Sequence, residues 1–252
     1  MHTIRDAGVT VAGALSPQRT QELYNTVLEA GVDLFVIRGT AVSAEHVSTD
    51  HEPLDLKKFI YDLDVPVIVG GCADYTSALH LMRTGAAGIL VGFGGGAVSA
   101  TMNTLGVQAP MATAIADVAE ARRDYMDESG GRYVQIIADG GMGNSGNFIK
   151  ALAMGADAVM LGTPLARATE APGRGTHWGA EARHLTLPRG MRTNVGTVAP
   201  LENILFGPSH EADGTTNFVG ALRRTMSSTG YVDVKSFQRC NVAFNPFHQD
   251  VR

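Results

Sequence analysis

The stretch Ile136-Ile137-Ala138-Asp139-Gly140-Gly141-Met142-Gly143 is answered further along by Ala158-Val159-Met160-Leu161-Gly162-Thr163. Each is an apolar run rich in branched residues that ends in glycine, and a short helical segment, Phe148 to Met154, lies between them. The pair reads as strand, loop, helix, strand, loop, with both loops leaving the same end of a parallel sheet. Glycine at such an end lets the backbone approach a ligand, and the N–H groups of the next helix start attract an anion. The late loops of a (β/α) barrel hold a phosphate in this way. The stretch therefore points to a phosphorylated small molecule, with Asp139 placed to bind hydroxyls on it. The plainer role for Asp139 is a loop or helix cap.

Outward from this unit, one pattern recurs: a helical segment, then glycine, then a short apolar strand. It is found at Asp6-Ala7-Gly8-Val9-Thr10-Val11, at Gly31 before Val32 to Ile37, at Gly85 before Ala86 to Val91, and at Gly155 before Ala156 to Met160. Glycine after a helix takes the left-handed cap without a Cβ penalty. The strands are apolar on both faces, as a sheet covered by helices requires. Val65 to Val69 and Tyr133 to Ala138 fit the same scheme. Between them, Leu23, Val27 and Leu28 share one helix face, as do Ala78, Leu79 and Met82, and later Phe218, Val219, Leu222 and Met226 ahead of Gly230. Ser16-Pro17 and Asp74 read as helix starts with capping side chains.

This repeat favours a parallel α/β barrel over an α+β arrangement. It supplies about six strands, where a closed barrel has eight. The deficit falls at the front, where residues 2 to 7 read as the end of a helix. Either the chain is a fragment of a longer protein, the favoured reading, or another chain supplies the missing strands. An open sheet of this kind leaves two unpaired edges. Residues from about Thr169 to Asn217 read differently. They are dense in Gly, Pro, Thr and His, show little periodicity, and follow the last barrel strand, which suits a mobile flap over the ligand.

At 252 residues, 44% apolar and with 30 glycines, the chain suits one barrel-sized domain. A formal charge of -5 and the lack of a basic cluster beyond Arg122-Arg123 and Arg223-Arg224 argue against nucleic acid as a partner. Cys72 and Cys240 are the only cysteines, which suits a reducing compartment and no disulfide framework. No apolar run approaches a membrane span, and the first residues lack a signal-peptide core, so the expectation is cytoplasmic. Histidines 46, 51, 80, 177, 184, 210 and 248 show no metal-ligand spacing and read as surface or flap residues. Asp213-Gly214 is a turn signal.

A third loop, Val91-Gly92-Phe93-Gly94-Gly95-Gly96-Ala97-Val98-Ser99-Ala100-Thr101, follows a strand and precedes a helix-like segment. With the Asp139 and Gly162 loops, Pro188-Arg189-Gly190-Met191 and Gly220 to Arg224, it resembles the IMP dehydrogenase/GMP reductase family, most closely an actinobacterial branch related to IMP dehydrogenase. The resemblance covers nearly the whole chain. It implies an aldolase-type (β/α)8 TIM barrel that lacks its first two strands here, forming one catalytic domain over residues 1–252, with the flap and no CBS domain.

The family's glycine loop has a Gly-x-Gly-x-Gly-Ser-x-Cys-x-Thr signature, in which the cysteine attacks C2 of the purine and loop carbonyls help bind potassium. Gly92, Gly94, Gly96 and Thr101 match that signature, while Ala97 replaces the serine and Ser99 stands in the place of the cysteine. By the same resemblance Ser99 and Thr101 are the catalytic positions, and Gly94 and Gly96 belong to the potassium loop. Asp139 accepts from the ribose hydroxyls, Gly140, Gly141, Gly162 and Thr163 cradle the phosphate, and Gly190 and Met191 meet the base. Pro188 replaces a phosphate-binding tyrosine, and Arg38 replaces an aspartate that contacts the nicotinamide ribose. A thiol is partly ionised near neutral pH, whereas a serine hydroxyl needs a dedicated base, and none can be read beside Ser99. Cys72 ends a barrel strand and reads as packing ahead of catalysis.

The function implied is an oxidoreductase of purine nucleotide metabolism. It would bind a purine 5′-monophosphate and oxidise IMP with NAD, as a homo-oligomer (tetrameric in the family), with Ser99 setting turnover against descent. Two other readings stand beside it. One is a flavin-dependent barrel, in which the same loops hold the FMN phosphate. The other is a non-catalytic nucleotide-binding or regulatory protein, which Ser99, Pro188 and Arg38 favour.

Overall fold

Helix and strand alternate from the start of the chain. The computed structural model describes residues 1–44, 53–179 and 192–243. The first half runs α1 (His2–Asp6), β1 (Ala12–Leu15), α2 (Pro17–Glu29), β2 (Leu34–Arg38), α3 (Leu56–Asp62), β3 (Val67–Cys72), α4 (Tyr75–Arg83) and β4 (Gly88–Val91). Next come α5 (Thr101–Leu105), α6 (Met111–Glu128), β5 (Gln135–Asp139), α7 (Ser145–Ala153), β6 (Ala158–Met160) and α8 (Thr163–Ala166). The last part holds β7 (Thr176–Trp178), β8 (Arg192–Asn194), α9 (Leu201–Phe206), α10 (Phe218–Thr229) and α11 (Val234–Phe237).

Strands β1 to β6 form one sheet in sequence order, each parallel to its neighbour. A doubly wound sheet reverses its strand order at a switch point, whereas unbroken sequential order is the winding of a (β/α)8 barrel. The fold is thus α/β of TIM-barrel type, with six of the eight strands that close such a barrel present among the described residues. Burial grades across the sheet. Every residue of β4, at its middle, is buried, while the outer strands alternate and Met160 of β6 stays 41% exposed. The main core lies between the sheet and its covering helices, around Phe35, Ile37, Val69, Leu81, Ile89, Ile115 and Ile136. A second cluster joins α7, α10 and α11 through Leu152, Leu222, Met226 and Phe237.

Local chemistry sets the element ends, and it corrects several expectations. The first strand is not Val9 to Val11. Val9 is exposed, and Val11 is pinned by its N–H to Asp33 Oδ2 at 2.7 Å, so the ladder begins at Ala12. The third strand starts at Val67, two residues later than expected, because Pro66 has no N–H to give. The fifth starts at Gln135, after Tyr133 has been drawn aside to Asp157. Asp74 caps α4 by accepting from the Ser77 amide, as expected. Ser16 precedes α2 without a side-chain cap bond, and its carbonyl instead accepts from the Thr20 hydroxyl. The segment from 169 to 217 is less irregular than its composition suggests. It contains the antiparallel ribbon β7–β8 and helix α9, elements too short for any periodicity to register.

Candidate active site at the carboxyl ends of the strands

Because the strands are parallel, the residues that end them gather at one rim. Arg38 ends β2, Cys72 ends β3, Gly92 follows β4, Asp139 ends β5, and Gly162 lies just beyond β6. Gly140 and Gly141 both take positive φ, at 132° and 74°, which an L side chain would rarely adopt. That conformation turns the chain toward the other glycine loop, where a Cβ added to Gly95 would come to 3.7 Å from the Gly140 and Gly141 backbone. The Asn147 side chain then fixes the turn, donating to the Gly141 carbonyl at 3.1 Å. Gly95, Gly140 and Gly141 thus line one cleft.

Asp139 is buried, and both its oxygens are engaged. Arg38 Nε donates to Oδ2 at 2.6 Å and Nη2 to Oδ1 at 3.2 Å. This fork geometry is the strong form of a carboxylate–guanidinium pair. A carboxylate offers about four lone-pair sites, so two hydroxyls can still share it with the guanidinium. The Arg38 side chain is 47% exposed and lies across the rim from the sheet's second strand to its fifth. Sequence reasoning named both residues but not their pairing.

Ser99 is half-buried after the glycine loop. Its Oγ lies 3.1 Å from Thr101 Oγ1 and accepts weakly from the Thr101 amide at 3.4 Å, while its own N–H donates to the Gly96 carbonyl at 3.0 Å. Thr101 is buried at the first position of α5. Among the described residues no histidine or carboxylate hydrogen-bonds to Ser99. Cys72 is buried in the core, and burial, reinforced by the Asp74 charge, pushes its thiol up to about 12. That is the state of a packing residue. The Gly94 backbone folds against Val107 and Gln108, and the Gly96 carbonyl already accepts one hydrogen bond, so any cation there would share it.

At the last loop, Thr163 opens α8 and Gly162 precedes it. The ribbon lays His177 on this loop. Its Nδ1 is 3.1 Å from Thr163 Oγ1, and a Cβ on Gly162 would come within 3.1 Å of the ring. Gly162 has φ −111°, so it is this ring rather than the backbone that would crowd a side chain there. His177 thus belongs to the flap, as expected, but also to the expected phosphate cradle. No sequence signal marks this placement, since a three-residue strand carries no pattern. Flap and glycine loop meet at Gly179, beside Val98. A cleft of about 600 Å³ lined by Gly95, Gln108, Gly141, Asn147 and Lys150 adjoins the rim on its helical side. Asp139, Ser99 and Thr163 lie outside its wall. Pro188, Gly190 and Met191 fall outside the described residues, as do His46, His51, His184 and His248. No group of three or more His, Cys, Asp or Glu that could hold a metal occurs among the described residues.

Comparison with known proteins agrees with this geometry. Residues 4–199 match the family model of the IMP dehydrogenase / GMP reductase domain. An uncharacterized oxidoreductase of Mycolicibacterium smegmatis is 54% identical over 239 residues, 94% of this chain and 64% of that protein. The inosine-5′-monophosphate dehydrogenase of Aquifex aeolicus is 31% identical over 239 residues, 88% of this chain and 46% of that protein. Among solved structures, an IMP dehydrogenase/GMP reductase-like protein from Corynebacterium glutamicum superposes with a TM-score of 0.89 at 54% identity, covering 96% of this chain and 63% of that one. The chain spans a little under two thirds of the length of its 54%-identical relatives.

Proposed function

We propose, for a chain that belongs to the IMP dehydrogenase/GMP reductase family, that the strand-end rim binds a purine 5′-monophosphate. The observation that carries this reading is the meeting of the Gly95 and Gly140-Gly141 loops beside the buried Asp139. Backbone N–H groups and glycine surfaces there suit a close-lying phosphorylated ligand, and a charged carboxylate suits a ribose diol. Thr163 supplies the hydroxyl that the family's phosphate cradle takes from serine. The setting is purine nucleotide metabolism in the cytoplasm, and the assembly is a homo-oligomer. Among the described residues no helix is long and apolar enough to cross a membrane.

The Aquifex aeolicus relative is named for oxidation of IMP; in that reaction on this rim, NAD would take up the hydride from C2. Here the residues fit the nucleotide better than the cofactor. Arg38, in the place of an aspartate, offers donors where a nicotinamide ribose presents hydroxyls, and it is already bound to Asp139. Among the described residues no base is bonded to Ser99, so covalent attack at C2 has no activated nucleophile there. The parent chain should therefore bind IMP yet produce little or no NADH. Ser99→Cys is the single change most able to raise turnover, since it restores a group that ionises near neutral pH. An assay of NADH formation from IMP and NAD compares the two, and robust turnover by the parent would overturn this reading of Ser99.

A second reading, a non-catalytic nucleotide-binding or regulatory protein, is favoured by the same two observations. It differs from the first in one outcome: Ser99→Cys would bind IMP as tightly as the parent and still make no NADH.

A further inference from the structure

Among the described residues, Thr163 is the hydrogen-bond partner of His177, whose ring lies against Gly162 at the phosphate loop. Its Nε2 makes no hydrogen bond within the described residues and is not sealed from solvent. We propose that His177 is a phosphate-binding residue of this site, contributed from the ribbon. The proposal rests on the nucleotide reading above and adds a ligand-specific group to it.

The chemistry follows from the two ring nitrogens. In the neutral imidazole, Nδ1 accepts the Thr163 hydroxyl proton and Nε2 carries a hydrogen, ready to donate to a phosphate oxygen. When the ring is protonated, Nδ1–H donates to Thr163 Oγ1 instead. The threonine hydroxyl then turns its own hydrogen toward the phosphate, and the ring adds a positive charge. Either state serves an anion, and the protonated state serves it twice. Burial holds the free imidazole below its usual value, so near neutral pH it is mostly uncharged before ligand arrives. A bound dianion favours the charged form and draws a proton in. Among the described residues burial alone acts on the ring: Glu170, between α8 and the ribbon, is held to the Leu201 amide, and the Asp213 carboxyl lies near Arg167. Arg192 on β8 lies over the Trp178 ring at 5.5 Å, Arg167 caps α8, and Arg174 precedes the ribbon. The residue opposite His177 on β8 is Thr193.

The test is calorimetric titration of the full chain and of His177→Gln with IMP, inosine and inorganic phosphate, at pH 6 and pH 8 and in buffers of different ionisation enthalpy. Glutamine keeps a polar contact to Thr163 but carries no charge. The substitution should weaken IMP and inorganic phosphate about tenfold at pH 6, the worth of one charge-assisted hydrogen bond. The loss should be smaller at pH 8, and inosine should be unaffected. The parent should take up protons with IMP and not with inosine, a measurement that needs no variant. Equal weakening of IMP and inosine, or IMP binding by the parent without proton uptake, overturns the role of His177. If the parent binds neither IMP nor phosphate, the nucleotide reading falls with it.

Discussion

Single residues decide what this rim can do. Asp139 and the glycines around it were legible in the sequence, because a strand that ends in Asp-Gly-Gly is a local signal. The partner of Asp139 was not. Arg38 lies 101 residues away in sequence, and only the curl of the parallel sheet brings the two ends together. His177 was hidden for a similar reason, since nothing in the flap's composition says which loop the ribbon covers. Cys72 tests the residue scale independently. Its thiol, pushed up to about 12 by burial, should resist an alkylating reagent at pH 8 while the less buried Cys240 reacts. Both should label once the chain is denatured. Fast native labelling of Cys72 would reopen it as the nucleophile in place of Ser99.

Between elements, the most concentrated interaction is a buried polar node. Arg122 of α6 and Asp157, just before β6, pair at 2.5 Å with side chains only 8% and 15% exposed. The same carboxylate accepts from Tyr133 Oη at 2.5 Å, the Ile136 amide at 2.8 Å and Gln238 Nε2 at 3.1 Å, and Arg122 lies 4.6 Å from the Tyr133 ring centroid. Removing one partner strands a buried charge, so Asp157→Ala should cost about 3–5 kcal/mol, read as a lower denaturation midpoint. A loss below 1 kcal/mol would mean that the node is solvated. At the sheet margin, the Val11 amide, with Arg5 beside it, holds the Asp33 carboxyl below its usual value. The stabilisation is present above the unfolded carboxyl's ordinary pKa of about 3.9 and is lost as pH falls through the lower folded value. The protection factor of the Val11 amide, exchange being referred to the intrinsic rate at each pH, should therefore fall on acidification through that window, and a pH-independent protection factor there would contradict the contact. Element order was readable from the glycine-after-helix repeat. Element ends were not, because they depend on such details as Pro66 and Asp33.

At the scale of the molecule, the outer edges of β1 and β6 pair with no further strand among the described residues, and Met160 and Leu165 are exposed beside the second. Unpaired edges with apolar flanks recruit other chains. The 252-residue chain should self-associate, and sedimentation analysis together with a thermal scan would show it. A cooperative transition from a monomer would contradict this. The barrel winding itself was predictable, since strand and helix alternate with strands apolar on both faces. The ribbon over the rim was not, since strands of three residues carry no pattern. The account's central claim is that the strand ends form a purine 5′-monophosphate site centred on Asp139, and titration of IMP into the parent chain and into Asp139→Ala tests it most directly. Charge-assisted bonds to two ribose hydroxyls are worth about 1.5–3 kcal/mol each, so the variant should bind at least about tenfold more weakly. An absence of IMP binding in the parent, or the same affinity in both proteins, would contradict the claim.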